Sequence, residues 1–280
     1  MIRLHKIDPK PVLESFVNYF WTYDNADTER GKTRFKILAD GLPGLIFQHF
    51  EGASVLEEQD AFKLPTSFIY GQATASCTNF AESCLSVTGV SLKAGSLKSL
   101  FKTDAFEFTN RLIPLNELAT HDINDRLLNT SNQNARIDII SNYLLSKISR
   151  KKDTDSIIED SIKKMNKDAS GTNLSSLNKY YNISERHFER KFKSSIGIRP
   201  QQYLRILKFQ KAIHQMRMVL PDKLSAIAYD LNYADQSHFI RDFKEFSGLT
   251  PKEFLRQDLK FTDFHEQGFT DTPKRLIRCN

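Results

Sequence analysis

The sequence has few of the residues from which metal and redox centres are built. Its three cysteines are Cys77, Cys84 and Cys279, and it has no Cys-x-x-Cys pair and no Cys and His at zinc-ligand spacing. Its histidines are scattered and form neither His-x-His nor His-Glu-x-x-His. We therefore predict no metal and no cofactor, and we expect Cys77 and Cys84 to be reduced thiols.

Long apolar runs and local catalytic motifs are also absent. No stretch approaches 18 apolar residues, and the first six residues lack the apolar core of a signal peptide. Gly41-Leu42-Pro43-Gly44 lacks the Lys and Ser/Thr of a phosphate-binding loop and is predicted to be a turn. These absences predict a cytoplasmic protein that is not an enzyme and has no membrane partner.

Charge is distributed unevenly along the chain. The formal net charge is +6, from 40 Lys and Arg and 34 Asp and Glu. Residues 1–120 hold 12 basic and 14 acidic side chains, whereas residues 173–262 hold 16 basic and 9 acidic ones. A surplus in the C-terminal region is typical of a surface that binds a polyanion such as DNA. Charge alone leaves a merely soluble basic domain as the alternative.

Two segments of this basic region repeat one pattern at an offset of 51 residues, as from Phe188 to Phe239. Each copy predicts a helix, a short turn, a second helix with an N-cap, and a Gly-x-x-Pro exit. The spacing of four between the phenylalanines places them on one buried face. This order predicts a duplicated helix-turn-helix, in which Pro200 opens a long helix that joins the two units.

The repeated run resembles a known family of regulators. Both copies read Phe-x-Arg-x-Phe-Lys-x-x-x-Gly-x-x-Pro after a Leu- and Ile-rich helix, and over residues 165–260 this resembles the AraC/XylS family of bacterial transcription regulators. The resemblance implies a sequence-specific regulator whose two recognition helices contact adjacent major-groove segments of a double-stranded DNA operator. It also implies contact with RNA polymerase, and a small-molecule effector and a homodimer as further partners.

Site residues follow from this resemblance, position by position. Recognition-helix anchors are Phe188, Phe192, Phe239 and Phe243. Implied base contacts are Arg186, Glu189, Arg190, Gln236, Ser237, His238, Ile240 and Arg241. Lys191, Lys193 and Lys244 are expected to bind phosphate. Arg190 and Arg241 suit guanine or, alternatively, phosphate, and Gln236 suits adenine. Glu189 either accepts from cytosine N4 or orients Arg186 or Lys193.

The chain departs from the family pattern in the helix that precedes each recognition helix. Asn178 stands where Ala is usual and the helices cross closely, and Tyr180 and Tyr181 add bulk. In the second unit Ala228 is small as usual, but Asn232 replaces a turn glycine. Asn tolerates the left-handed conformation, so we expect that turn to be kept.

The N-terminal half is predicted to be rich in strands. Apolar segments at 34–39, 45–50, 67–70 and 85–92 predict an antiparallel sandwich or barrel, with a bulge at Gly89, where the alternation changes phase. Ala94 to Phe101 predicts a short helix. The phrases at residues 37–41 and 89–95 resemble the N-terminal domain of one branch of the family, with Leu92 and Ala94 as departures. That resemblance implies a small β-barrel-like sensor or dimerisation domain.

The predicted class is α+β, with an antiparallel β-barrel-like domain followed by an all-α domain. The predicted segments are a β-rich regulatory domain at 1–121, a helical dimerisation or linker segment at 122–155, a double helix-turn-helix domain at 156–262, and a tail at 263–280. An apolar stripe through Ile137, Ile140, Leu144 and Ile148 indicates either packing within one chain or a dimer interface.

Two other classes of function stay open at this point. One is a ligand-binding or metal-dependent β-barrel whose basic C-terminal region binds nucleic acid without sequence preference. The other is an adaptor that recruits RNA polymerase through surface contacts.

Overall fold

The computed structural model describes residues 3–25, 33–58, 60–81, 84–118, 122–148, 155–218, 224–261 and 276–279. Within these ranges an N-terminal part built on two antiparallel sheets precedes a C-terminal part built from helices. The predicted α+β class is confirmed. Its strands form two sheets, as in the sandwich alternative, and not one closed barrel.

The larger sheet has six strands. They are β1 Arg3–Ile7, β2 Val17–Asn25, β4 Gly44–His49, β6 Ser67–Tyr70, β8 Leu85–Leu92 and β9 Leu112–Pro114. Their order is β1-β2-β8-β4-β6-β9, and every neighbouring pair is antiparallel.

The smaller sheet has four strands in the order β10-β3-β7-β5. They are β3 Thr33–Ile37, β5 Leu56–Glu58, β7 Cys77–Ala81 and β10 Leu276–Cys279. The strands predicted at 34–39, 45–50, 67–70 and 85–92 are confirmed as β3, β4, β6 and β8, with ends that differ by at most two residues. Cys77 and Cys84 are both thiols, and Cys77 is exposed.

Gly89 lies inside β8, in regular register with Trp21 of β2 and Ile46 of β4. The bulge predicted at this glycine is therefore wrong, because the β2–β8 register shifts between Val17 and Tyr19 instead. A Cβ on Gly89 would overlap the indole of the buried Trp21. The alternation is lost because β8 is covered on both faces.

In the described ranges the N-terminal part also contains three α-helices, which are α1 Ser96–Phe101, α2 Asp122–Leu128 and α3 Gln133–Lys147. The predicted apolar stripe lies on α3, where Ile137, Ile140 and Leu144 are buried in one cluster with Phe20 and Phe47 of the sheet. Packing within one chain is thus the alternative that the structure shows for this stripe. A homodimer through another surface stays a prediction.

A buried arginine fixes α3 to the sheet. Arg136 Nε donates to the Thr130 carbonyl at 2.6 Å, and its Nη2 lies 2.6 Å from His49 Nε2. Burial, together with the charge of Arg136, lowers the pKa of His49. The neutral imidazole of His49 is therefore the acceptor for Arg136.

The C-terminal part consists of seven helices in the described ranges. They are α4 Ser156–Lys167, α5 Leu174–Tyr180, α6 Glu185–Ile196, α7 Pro200–Met218, α8 Leu224–Asp230, α9 Gln236–Ser247 and α10 Pro251–Phe261. The pairs α5–α6 and α8–α9 are the two predicted units, and α7 is the predicted long helix between them. None of the described helices is long and apolar enough to cross a bilayer.

The N-terminal and C-terminal parts of the chain meet at the end of β3. Leu38 and Ala39, which follow β3, are buried in the core of the C-terminal helices. Beyond α10, the described residues 276–279 return as β10 and pair with β3. The predicted tail covers 263–280, and its other residues, 263–275 and 280, lie outside the described residues. The end of β3 therefore belongs to a sheet on one side and to the helical core on the other.

Candidate nucleic-acid interface

The first recognition helix is α6, and its ends are formed as the sequence predicts. Ser184 is its N-cap and accepts from the backbone N–H of His187 at 3.3 Å. Gly197 follows the helix with φ of 103°, the left-handed conformation that terminates helices. Phe188 and Phe192 are buried, so the opposite face of α6 is left to solvent.

The second recognition helix, α9, repeats this construction. Asp235 is its N-cap and accepts from the backbone N–H of His238 at 2.7 Å. Gly248 follows the helix with φ of 69°. Phe239 and Phe243 are fully buried. Equivalent N-caps, terminal glycines and buried Phe pairs therefore leave the same face of α6 and α9 exposed.

The turns within the two units also match. Asn232 has φ of 54°, so the expected left-handed Asn in place of glycine is confirmed. Its counterpart in the first unit is Asn182, with φ of 50°. The Lys208 ammonium further donates to the Asn232 carbonyl at 3.0 Å. Both turns thus reach the same geometry without glycine.

Most of the predicted base-contacting residues lie on the exposed faces. Arg186 and Arg190 of α6 are exposed, as are Gln236, Ser237 and Arg241 of α9. Glu189 is half-buried, and among the described residues no ion pair joins it to Arg186 or Lys193. The first turns of both helices therefore offer donors to a groove, while Phe pairs hold their backs.

Two predicted base-contacting residues are turned partly inward. Ile240 packs against the helical core. The His238 imidazole lies edge-on to Tyr233, with ring centroids 5.4 Å apart, and its Nε2 is 3.6 Å from Asp242 Oδ1. Their roles at DNA stay predictions, and in the structure both side chains support α9.

The three predicted phosphate ligands have different surroundings. The Lys191 ammonium pairs with Asp155 at 2.7 Å, and the Lys193 ammonium lies 5.2 Å from the centre of the Phe106 ring. Lys244 is exposed on the last turn of α9. Of the three lysines, Lys244 therefore has the surroundings that best suit phosphate binding.

Comparison with known proteins assigns the helical part. A family model described as a helix-turn-helix domain matches residues 177–257, and a domain of unknown function, DUF6597, matches residues 5–114. The HTH-type transcriptional activator RhaS of Escherichia fergusonii is 36% identical over 75 residues, which are 27% of this chain and 26% of RhaS. The C-terminal domain is an AraC-type helix-turn-helix domain. The chain matches only about a quarter of the length of that relative.

Solved structures show weaker likeness. ToxT from Vibrio cholerae is 13% identical over 85% of this chain and 97% of its own, with a TM-score of 0.43. The C-terminal domain of AraT from Geobacillus stearothermophilus is 22% identical over 38% of this chain and 88% of its own, with a TM-score of 0.34. TM-scores this low do not establish a common fold.

Two ion pairs of opposite polarity fix the recognition helices of the AraC-type domain. Lys191 of α6 pairs with Asp155, the N-cap of α4. Asp242, 51 residues after Lys191, is chelated by Arg205 of α7, with Nη2 at 2.8 Å and Nε at 3.2 Å. In both units the residue at this position binds the helix before the unit, but the charges are exchanged. In the sequence, the change from Lys to Asp at equivalent positions indicates that the two units differ here, but it does not identify the partner of either residue.

The surroundings of the two pairs differ. Asp242 is 1% exposed, and Arg205 also bonds to Glu245 at 2.5 Å. Hydrogen bonds that the Arg205 guanidinium donates to the Asp242 and Glu245 carboxylates raise the pKa of Arg205 against the effect of burial. Burial opposes ionisation of Asp155, yet the bond and charge of Lys191 and two backbone N–H groups keep its pKa below the usual value. The pKa shifts of Arg205 and Asp155 therefore both favour the charged forms of these two groups.

The bulky helix α5 of the AraC-type domain is accommodated by α4. Tyr181 donates to Asp160 at 2.7 Å, and the Lys164 ammonium lies 4.5 Å from the centre of the Tyr180 ring. Asn178 is less well satisfied, because its Oδ1 is buried and no group in the described residues donates to it. The equivalent Ala228 is buried and apolar. At this position the first unit thus has a buried acceptor without a donor, where the second unit has an apolar side chain.

We predict that Arg205→Met destabilises the full chain far more than Lys191→Met. Loss of Arg205 leaves a buried carboxylate unpaired and should cost about 2–4 kcal/mol. The Lys191–Asp155 pair has side-chain exposures of 34% and 26%. Its loss should cost about 1 kcal/mol or less. Urea unfolding followed by circular dichroism measures both costs, and equal values would contradict the difference in burial.

We also predict that Asn178→Ala stabilises the chain by about 1 kcal/mol, because it removes a buried acceptor without a donor. The reciprocal control, Ala228→Asn, introduces the same defect into the second unit and should destabilise it by about 1–3 kcal/mol. Thermal unfolding of the two variants beside the wild type gives the signs. Destabilisation by Asn178→Ala would mean that the amide has a partner in solution.

Proposed function

We propose that this chain is a sequence-specific DNA-binding transcription regulator whose recognition helices α6 and α9 enter adjacent major-groove segments. The observation that carries the proposal is the pair of equivalent helices, each with exposed polar first turns and a buried Phe pair. In a helix-turn-helix protein, this arrangement exposes hydrogen-bond donors on one face of the recognition helix while the opposite face is fixed in the core. The basic surplus in residues 173–262 supplies affinity for the phosphate backbone.

In this proposal the base contacts come from Arg186, Glu189 and Arg190 on α6 and from Gln236, Ser237 and Arg241 on α9. His238 and Ile240 contribute through the position of α9, since both side chains face the protein in part. Lys244 binds phosphate. Lys191 acts through its ion pair with Asp155.

The N-terminal part has the regulatory role in this proposal. It is net acidic over residues 1–120, unlike the DNA-binding region, and it packs against the recognition domain through Leu38 and Ala39. A small-molecule effector, a homodimer and a contact with RNA polymerase belong to the proposal as further partners. Sedimentation of the full chain over a range of concentrations tests the homodimer, and a strictly monomeric chain would remove it.

The proposal places the protein in the cytoplasm and gives it no catalytic role. The metal-dependent β-barrel is not favoured, since in the described part of the chain no three of His, Cys, Asp and Glu are grouped as metal ligands.

We predict that Arg241→Ala relaxes sequence preference at one position of the site and costs about 1–3 kcal/mol of binding there. Lys244→Ala should weaken binding to all sequences alike and reduce the salt dependence by about one counterion. Site selection in vitro, followed by titration of selected and random DNA at several salt concentrations, measures both effects.

Lys63→Ala, an exposed lysine of the N-terminal part, is the matched control and should bind like the wild type. Footprinting should show two protected segments about one helical turn apart. A single short segment, or the same behaviour of the Arg241 and Lys244 variants, would be evidence against this assignment.

We predict that Glu189→Gln changes the selected base at one position of the first segment. A carboxylate accepts from cytosine N4 and repels guanine or phosphate, so the amide should also bind random DNA more tightly. The absence of an ion pair from Glu189 to Arg186 or Lys193 in the described residues favours this role. An unchanged selected motif would show that Glu189 does not contact a base.

A further inference from the structure

Both recognition helices end against the N-terminal part of the chain. Gly197 and Gly248 are equivalent residues, each the left-handed residue that follows its helix. Helices leave their last four carbonyl groups without partners inside the helix. In this chain, groups from the N-terminal part bind or lie close to both of these ends.

At the end of α6 the partners come from α1 and from the segment that follows it. The Thr109 hydroxyl donates to the Gly197 carbonyl at 2.8 Å. The Lys98 ammonium donates to the Ser194 hydroxyl and pairs with Asp104 at 2.8 Å, and that hydroxyl donates to Asp104 at 2.5 Å. A cation near the last turn also suits the negative end of the helix dipole.

At the end of α9 the partners come from one end of the smaller sheet, where β3 ends and β7 begins. The Ala39 N–H donates to the Phe246 carbonyl at 3.1 Å, and the Ser76 N–H donates to the Glu245 carbonyl at 3.4 Å. A Cβ on Gly248 would lie 2.6 Å from the Lys36 ammonium and 2.7 Å from the Ser76 hydroxyl. A lysine of the N-terminal part thus lies at the end of each recognition helix.

Two further hydrogen bonds join these contacts into one unit. The side chain of the buried Gln72 donates through Nε2 to the Gly41 carbonyl at 2.9 Å, and the backbone carbonyl of Gln72 accepts from the Asn110 N–H at 2.9 Å. Gly41 is two residues from Ala39, and Asn110 is next to Thr109. The contact with α9 and the contact with α6 are therefore tied to each other inside the N-terminal part.

We propose that the N-terminal part sets the separation of the two recognition helices. It does so because its contacts with the C-terminal ends of α6 and α9 are linked to each other. Each helix has 12 residues and is thus about 18 Å long, with its exposed first turn at the far end. Thr109, Ala39 and Gln210, whose side chain donates to the Ala39 carbonyl at 2.6 Å, are positioning residues. The proposal depends on the proposed function and predicts a narrow tolerance for the spacing between the two DNA segments.

The test uses the full chain with Thr109→Val and Gln210→Met combined, which removes one side-chain bond at each contact. The matched control is Thr130→Val with Gln201→Met. Thr130 also bonds a carbonyl but lies at the end of α2, and Gln201 is exposed on α7. Thr109→Ser with wild-type Gln210 keeps the hydroxyl and should behave like the wild type.

Two measurements are made on each protein. Amide hydrogen exchange at Gly197 and Gly248 reports the helix ends without DNA. Binding is then measured to the selected site and to sites with one base pair added or removed between the segments, a change of about 3.4 Å. Each lost bond should accelerate exchange several-fold and reduce the spacing penalty about fivefold.

The proposal predicts faster exchange and a broader spacing profile in the double variant, with both unchanged in the control and in Thr109→Ser. Unchanged exchange would overturn it, and so would faster exchange with an unchanged spacing profile. If the wild type binds no selected DNA at all, the proposed function fails and the spacing claim falls with it. Exchange would then still show separately whether the N-terminal part holds the helix ends.

Discussion

One aromatic core along α7 packs against both recognition helices and fixes which face of each helix is buried. Tyr203, in the first half of α7, packs against Phe192 of α6, with ring centroids 5.6 Å apart. Phe209, less than two turns later, packs against Phe243 and Phe246 of α9 at 5.0 and 5.6 Å. Since a single helix carries both contacts, a rotation of α7 would move both recognition helices together. The exposed faces of α6 and α9 are defined by what this core buries.

The duplication has preserved geometry more strictly than chemistry. The apolar positions, the N-caps, the turn asparagines and the terminal glycines recur, because each meets a steric or hydrogen-bonding requirement of the backbone. At the position of Lys191 and Asp242, the ion pair requires only a charge opposite to that of its partner, which is Asp155 at the start of α4 in the first unit and Arg205 of α7 in the second. Such a site can change sign when its partner does, so the two units can diverge in surface charge without a change in packing.

The sequence predicted local features well, because each has a local cause. The 3.6-residue period, the Ser184 N-cap and the Gly-x-x-Pro exits depend on neighbours within one helix, and all are found. The bulge predicted at Gly89 was wrong because a glycine inside a strand indicates either a bulge or a close neighbour. Only the fold shows that Trp21 lies beside this glycine. Most of the residues predicted to contact bases lie on exposed faces, but which bases they would contact depends on groove geometry, which the sequence does not contain.

Contacts between distant segments could not be predicted from one sequence. Nothing near Ala39 indicates that its N–H will bond to Phe246, or that Leu38 will enter the helical core. Short strands such as β5 and β9, with three residues each, carry too little alternation to be recognised. The bond between Arg205 and Asp242 joins residues 37 positions apart, and a charged pair at that distance has no periodic signature.

The junction between the two parts combines buried apolar side chains with hydrogen bonds. Its buried apolar contribution includes Leu38 and Ala39, and the hydrogen bonds from Ala39, Thr109 and Gln210 are each worth about 1 kcal/mol net. A ligand that binds one arrangement of the N-terminal part tenfold more tightly than another shifts their balance by about 1.4 kcal/mol, comparable to one of these bonds. Because the contacts with α6 and α9 meet at Gln72, such a shift would act on both helix ends at once. In the proposed regulator, a ligand bound in the N-terminal part would therefore change DNA binding without touching a recognition helix.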